Sequence, residues 1–175
     1  SVLRGEGPHQ GEPFIDDHIW TTEPIVDYLT QFSGIQPDDL DPKRTQRTLV
    51  SHKTAYKKLR MLTDLGCRFI GHGLAKDFRI INIFVPPSQV IDTVQLYHSP
   101  AHPRNLSLRF LSWFLLKKDI QQGLALGVEQ HDGHDSIEDA LAALQLFRKY
   151  EQFERDGRLE DMLEDLYEIG PRVNW

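Results

Sequence analysis

Apolar positions along the chain follow two different spacings, and together these predict a mixture of strands and helices. Short β-branched or alternating runs predict strands at residues 1–4, 13–20, 67–71 and 90–97. Apolar residues three or four positions apart predict helices at residues 25–35, 46–65, 74–82, 106–116, from 136 past 150, and once more in the acidic tail. Two strands followed by alternating helices and strands predict an α/β domain with a mixed sheet, whose first two strands are antiparallel.

Composition limits the kind of function this chain can have. A net charge of −6 and a pI near 5.7 argue against tight, sequence-independent binding to duplex DNA, but they suit a site that holds divalent cations. The single cysteine, Cys67, excludes an intramolecular disulfide and is expected to be buried on a strand. No apolar run approaches the ~20 residues that a membrane helix needs, and no signal peptide is visible.

The segment HDGHDSIEDALAAL, at residues 131–144, allows three interpretations. His131 and His134 are spaced to bind zinc, although no second pair of ligands accompanies them. Ser136 followed by Asp139 fits the S-x-x-[DE] signature of a helix start. The third interpretation makes His134 a general base beside a metal-binding Asp139.

A second segment, GHGLAKDF at residues 71–78, strengthens the third interpretation. A strand enters Gly71 and a tight turn follows, so Asp77 falls in the first turn of a helix. The helix dipole alone would favour an acid there. Hydrolysis of a phosphodiester by two metal ions needs several carboxylates and a base for the attacking water, which Asp77, Asp139 and His134 could supply.

The order and spacing of these segments resemble the DEDDh 3′–5′ exonucleases. GHGLAKDF is similar to the second motif of that superfamily, and HDSIEDA, with His134 five residues before Asp139, is similar to the third. FIDDHIW, VIDTVQLYH and SLRFLSWFLL further resemble the nuclease domains of Pan-type poly(A) deadenylases, in the RNase T-like branch. The resemblance covers residues 1–150 and leaves residues 151–175 as an acidic helical tail.

The resemblance implies an RNase H-like mixed sheet flanked by helices, and a hydrolase that shortens mRNA poly(A) tails from the 3′ end and releases 5′-AMP. Asp77 and Asp139 would bind two divalent ions, Mg²⁺ or alternatively Mn²⁺, and His134 would activate water. The implied partners are single-stranded poly(A) RNA, a pseudokinase-like adaptor subunit and, through it, poly(A)-binding protein. The implied location is the cytoplasm, including P-bodies.

The first motif of that superfamily, D-x-E on the central strand, does not occur in the 175 residues. The nearest pattern, Asp39-Leu40-Asp41, lies in a polar connector. We therefore expect the motif to precede Ser1 in a longer polypeptide, and the sheet to lack its first, central strand. We also expect the isolated segment to have impaired activity, because two metal-binding carboxylates are missing.

Contacts with RNA are assigned by position. Leu74 beside the Asp77 turn could touch the terminal base, and His72 could contact RNA, although helix packing and an ordinary turn would also explain them. The basic stretch at residues 53–60 fits a solvated helix face. A glycine-containing loop at residues 121–133 would let His134 engage only when RNA is bound.

Two alternative functions stay open. A Rex-type RNA exonuclease that trims structured RNA shares the H-x4-D spacing. A non-catalytic nuclease-like module that binds RNA or a partner would explain the missing D-x-E pair.

Overall fold

The structure, a computed structural model, describes residues 1–121 and 134–173. Six strands and seven α-helices are present in these ranges: β1 (Val2–Leu3), β2 (Pro13–Ile15), β3 (Asp17–Trp20), α1 (Thr30–Ser33), β4 (Thr48–Ser51), α2 (His52–Asp64), β5 (Phe69–Gly71), α3 (Leu74–Ile81), β6 (Val90–Asp92), α4 (Thr93–Leu96), α5 (Leu108–Leu111), α6 (Ser136–Arg155) and α7 (Leu159–Ile169). Short 3₁₀ turns lie at Pro37–Leu40, Pro87–Gln89 and Gly170–Val173, and a π-helical turn at Ser112–Leu116 extends α5. In the part of the chain that is described, no helix is long and apolar enough to cross a membrane.

The strands form three separate pairs. β1 and β2 are antiparallel, as predicted, whereas β3 pairs with β4 and β5 with β6 in parallel. Helix α6 packs against both β1 and β5, which are not hydrogen-bonded to each other. The predicted mixed α/β architecture is confirmed.

Three predicted elements have different bounds in the structure. The helix predicted at residues 46–65 begins only at His52, since Thr48–Ser51 pairs with β3, and the Ser51 side chain accepts a hydrogen bond from the Thr54 N–H as the helix cap. The strand predicted at residues 90–97 ends at Asp92, whose carboxylate caps α4. The helix predicted at residues 25–35 is reduced to α1.

Two apolar clusters stabilise the fold. One joins α4, α5, α6 and α7, and its fully buried members are Tyr97, Leu111, Leu146 and Leu166. The Tyr97 hydroxyl donates to the Leu146 carbonyl at 2.9 Å, which satisfies its polar group inside the cluster. The second cluster packs α2 and α3 around Ala55, Ile81, Ile83 and Val85. Cys67 is exposed just before β5, so the expectation of a buried cysteine was wrong.

Candidate functional site

A cavity of about 630 Å³ lies where β1, β5, α3 and α6 meet. His72, Leu74 and Asp77 line it from β5 and α3, and Asp139 lines it from α6. The structure therefore brings together four of the five residues singled out from the sequence. The fifth, His134, joins them through a contact with Asp139.

Asp139 lies in the first turn of α6. The N-cap is Asp135, whose carboxylate accepts from the Ile137 N–H at 2.9 Å, so the prediction that Ser136 caps this helix was wrong by one residue. The cap fixes the direction in which the helix starts, and this direction aims Asp139 into the cavity. Its side chain is 24% exposed, which leaves it open to a ligand.

Two side chains hold the Asp139 carboxylate, one on each oxygen. His134 Nδ1 lies 3.1 Å from Oδ2, and Gln121 Nε2 donates to Oδ1 at 2.9 Å. The His134 backbone N–H donates to the Phe32 carbonyl at 2.9 Å, so helix α1 supports the histidine. The His134 side chain is 40% exposed and is accessible from solvent.

The zinc interpretation stays a prediction, because one of its two histidines falls outside the described residues. His131 and most of the predicted loop at residues 121–133 lie outside them, as does the proposed movement of that loop. Within residues 1–121 and 134–173, no three His, Cys, Asp or Glu side chains converge as a metal-binding group.

The turn that carries His72 and Leu74 is shaped by two glycines. Gly73, with φ of 79°, is the residue before α3. Gly71 is needed for space, since an added Cβ would lie 2.7 Å from Leu74 Cγ. Leu74 therefore folds back over the end of β5. Packing explains its position, and its side chain also lines the cavity.

Asp92 holds this turn from the neighbouring strand. Its buried carboxylate accepts hydrogen bonds from the N–H groups of Gly73 at 2.8 Å, Leu74 at 3.0 Å and Val94 at 3.0 Å. The adjacent Thr93 hydroxyl donates to the Gly71 carbonyl and lies 2.9 Å from His72 Nδ1. One strand end thus fixes the backbone from which His72, Leu74 and Asp77 project.

Burial shifts the pKa of two groups at the cavity in opposite directions. Desolvation lowers the pKa of His72, against the opposing influence of Asp92 and Asp139. Desolvation by surrounding protein atoms also raises the pKa of Asp77, even though part of its side chain stays exposed. Burial thus favours the neutral form of His72 over the charged one.

Three residues that build the site were not predicted from the sequence. Asp92 and Thr93 were assigned to a strand, although an acid followed by threonine at a strand end is itself a cap signal. Gln121 was placed at the start of a loop, and no local pattern connects it with Asp139, eighteen residues later.

Comparison with known proteins gives a consistent result. The model of the RNase_T family, described as exonuclease, matches residues 1–147. The PAN2-PAN3 deadenylation complex catalytic subunit PAN2 of Chaetomium globosum is 58% identical over 175 residues, which are 100% of this chain and 15% of that protein. The corresponding pan2 of Schizosaccharomyces pombe is 53% identical, with the same coverage of both proteins. The chain thus spans about 15% of the length of these relatives.

Solved structures agree with this relationship. The Neurospora crassa Pan2 catalytic unit (protease and nuclease domain) superposes with a TM-score of 0.87 at 56% identity, over 94% of this chain and 26% of that one. The Saccharomyces cerevisiae Pan2 pseudoubiquitin hydrolase-RNA exonuclease module in complex with A7 RNA gives 0.88 at 43% identity, over 98% of this chain and 27% of that one.

Proposed function

The chain belongs to the RNase_T exonuclease family, and we propose that it carries the nuclease site of a 3′–5′ exoribonuclease that shortens poly(A) and releases 5′-AMP. The observation that carries the proposal is the shared cavity. Asp77 lines it from α3 and Asp139 lines it from α6, and His134 lies beside Asp139. The relatives named as deadenylase subunits, and a neighbour whose structure contains A7 RNA, support poly(A) as the substrate.

Membership of the family implies dependence on divalent metal ions, and the two acids fit that requirement in part. Carboxylate oxygens are suitable ligands for Mg²⁺ or Mn²⁺, and Asp77 and Asp139 offer them from α3 and α6. Divalent ions bound there supply Lewis-acid polarisation of the phosphodiester. We propose Mg²⁺ as the physiological ion.

His134 is proposed to act as the general base. Its ring is exposed and hydrogen-bonded through Nδ1 to Asp139, so the carboxylate orients the imidazole. Gln121 also holds Asp139, and the Phe32 carbonyl also holds the His134 backbone. Each of the two groups therefore has a second contact besides the one between them.

We further propose that a β-strand lying in the cavity, between β1 and β5, completes the site. Val2 and Leu3 line one side of the cavity and Phe69–Gly71 the other, while α6 bridges both strands. A strand between β1 and β5 would satisfy their open edges and place its side chains next to Asp77 and Asp139. Two carboxylates on such a strand would raise the number of acidic ligands to four.

Leu74 and His72 are proposed to contact the 3′-terminal nucleotide, because both line the cavity next to Asp77. An apolar side chain and an imidazole ring can both pack against the flat face of a base. The relatives are named as subunits of a PAN2-PAN3 complex. On that basis we propose a pseudokinase-like adaptor subunit and poly(A)-binding protein as partners, and a cytoplasmic location.

The test is an exonuclease assay with 5′-labelled RNA ending in adenosines, in the presence of Mg²⁺. We would compare this chain with a polypeptide extended upstream of Ser1, and compare oligo(A) with mixed-sequence RNA. The proposal is supported if only the extended polypeptide gives a ladder and if the ladder is stronger on oligo(A). The ladder should also be lost in Asp139→Asn and kept in Asp165→Asn. Equal degradation of both RNAs favours a Rex-type nuclease. RNA binding without any ladder from the folded extended protein favours a non-catalytic module.

A further inference from the structure

We propose that Gln121 is a positioning residue that orients Asp139 for metal binding, an inference that rests on the function proposed above. Its Nε2 donates to Asp139 Oδ1 at 2.9 Å, on the oxygen that His134 does not contact. The carboxylate is thereby held at both oxygens, and its rotation about the Cβ–Cγ bond is restricted. A ligand held in one orientation loses less entropy when it binds an ion.

The chemistry of an amide suits this task better than that of a basic side chain. A lysine or arginine at the same place would neutralise the carboxylate and repel an incoming cation. The glutamine amide donates a hydrogen bond and carries no net charge, so the acid keeps its full attraction for a metal ion. Partners of this kind, one step removed from the metal, typically change metal affinity by about 10–100-fold.

The backbone around Gln121 is held in place from two directions. Ile120 is only 2% exposed and belongs to the core cluster of α5, α6 and α7. The Gln121 N–H reaches the Glu138 carboxylate at 3.4 Å, a long contact to the first turn of α6. The segment from Ile120 to Gln121 is therefore attached both to the core and to the helix that carries Asp139.

The conformation of Gln121 is unfavourable for its residue type. Its φ is +61°, in the left-handed region that glycine adopts freely and that costs other residues roughly 1–2 kcal/mol. A glycine here would relieve that strain and lose the amide. The long amide at a glycine-like position therefore fits a role for the side chain at Asp139.

A purely structural role would be to attach the 117–121 segment to α6, and this role makes a different prediction. Gln121→Met keeps the length of the side chain and removes the donor. If Gln121 positions Asp139, this variant keeps its thermal midpoint and binds Mn²⁺ about 10–100-fold more weakly. If Gln121 only attaches the segment, the midpoint falls and the affinity for Mn²⁺ is unchanged.

The experiment measures the dissociation constant of Mn²⁺ by calorimetry on the polypeptide extended upstream of Ser1. The same protein is assayed for the Mg²⁺ concentration that gives half the maximal rate and for KM with oligo(A). In Gln121→Met, the dissociation constant of Mn²⁺ and the half-maximal Mg²⁺ concentration should rise together, while KM stays within about twofold of the parent value. Gln95→Met is the matched control, since the Gln95 side chain is exposed and forms no hydrogen bond with any described residue. Unchanged Mn²⁺ binding in a folded Gln121→Met protein would overturn the proposal.

Two further variants separate the possible failures. Gln121→Lys keeps a donor for Asp139 and so holds the segment even if Gln121→Met unfolds. It should weaken Mn²⁺ binding through its added charge, and unchanged binding would contradict the need for a neutral donor. If Asp139→Asn leaves both Mn²⁺ binding and hydrolysis intact, the proposed nuclease site itself fails. If Asp139→Asn abolishes both but Gln121→Met changes neither, only the role of Gln121 fails.

Discussion

Replacing Asp92 with asparagine should destabilise the protein by removing a buried acceptor from the turn that carries the site. The carboxylate is 7% exposed and accepts three backbone N–H bonds, with Oδ1 serving Gly73 and Val94, and Oδ2 serving Leu74. Asparagine has one acceptor oxygen and one amino group. In either orientation, at least one N–H therefore faces another donor.

The magnitude follows from that geometry. An unsatisfied buried N–H costs about 1–3 kcal/mol, and the remaining bonds lose the strengthening that a charged acceptor gives. Burying a neutral amide instead of a carboxylate offsets part of this loss, because the amide is less costly to desolvate. We expect a net loss of about 2–4 kcal/mol in the free energy of unfolding. With a urea m-value of roughly 2 kcal/mol/M, the midpoint should fall by roughly 1–2 M.

The assay is urea unfolding at pH 7, followed by far-ultraviolet circular dichroism and tryptophan fluorescence. Asp165→Asn is the matched control, because Asp165 is exposed on α7 and has no hydrogen bond or ion pair with any described residue. The control should stay within about 0.5 kcal/mol of the parent protein. If Asp92→Asn also stays within that range, Asp92 does not hold the turn and the reasoning is refuted.

Three other changes test separate parts of the structure. His72 has a pKa below the ordinary 6.5, so the unfolded chain takes up its proton first and stability falls as pH drops below 6.5. His72→Gln should flatten this decline in thermal midpoints between pH 7.5 and 5, and an unchanged slope would contradict it. Gly71→Ala places a Cβ 2.7 Å from Leu74 Cγ and should cost about 1–3 kcal/mol in urea unfolding, whereas Gly5→Ala, in open space, should be neutral. Leu166→Ala empties a fully buried position on α7 and should cost about 2–5 kcal/mol. A loss below 1 kcal/mol would show that the tail helix contributes little to the core.

Several features were predictable because they depend on neighbouring residues. Helix α3 was predicted almost to its ends, and Asp77 lies in its first turn as expected. Helix α6 begins at Ser136, one residue after the actual cap, Asp135, so the predicted start was close to the observed one. The periodicity and capping chemistry of a helix are local, so a single sequence contains them.

Other features depended on residues far apart in the chain. Thr48–Ser51 has no distinct strand signal, and it is a strand because Asp17–Trp20 lies alongside it. Cys67 is exposed because β5 starts two residues after it. Strand pairing is selected by the partner and by burial, neither of which a local pattern records.

The sequence by itself determined which groups could perform the chemistry: two acids at helix starts, a histidine five residues before one of them, and a glycine turn before the other. Only the tertiary structure decided how these groups are held. It placed Asp92 beneath the glycine turn and Gln121 against Asp139, contacts that span 19 and 18 positions in the chain. The reason is physical, since the types of residue set the available chemistry, whereas the orientation of a side chain is set by whichever distant atoms pack around it.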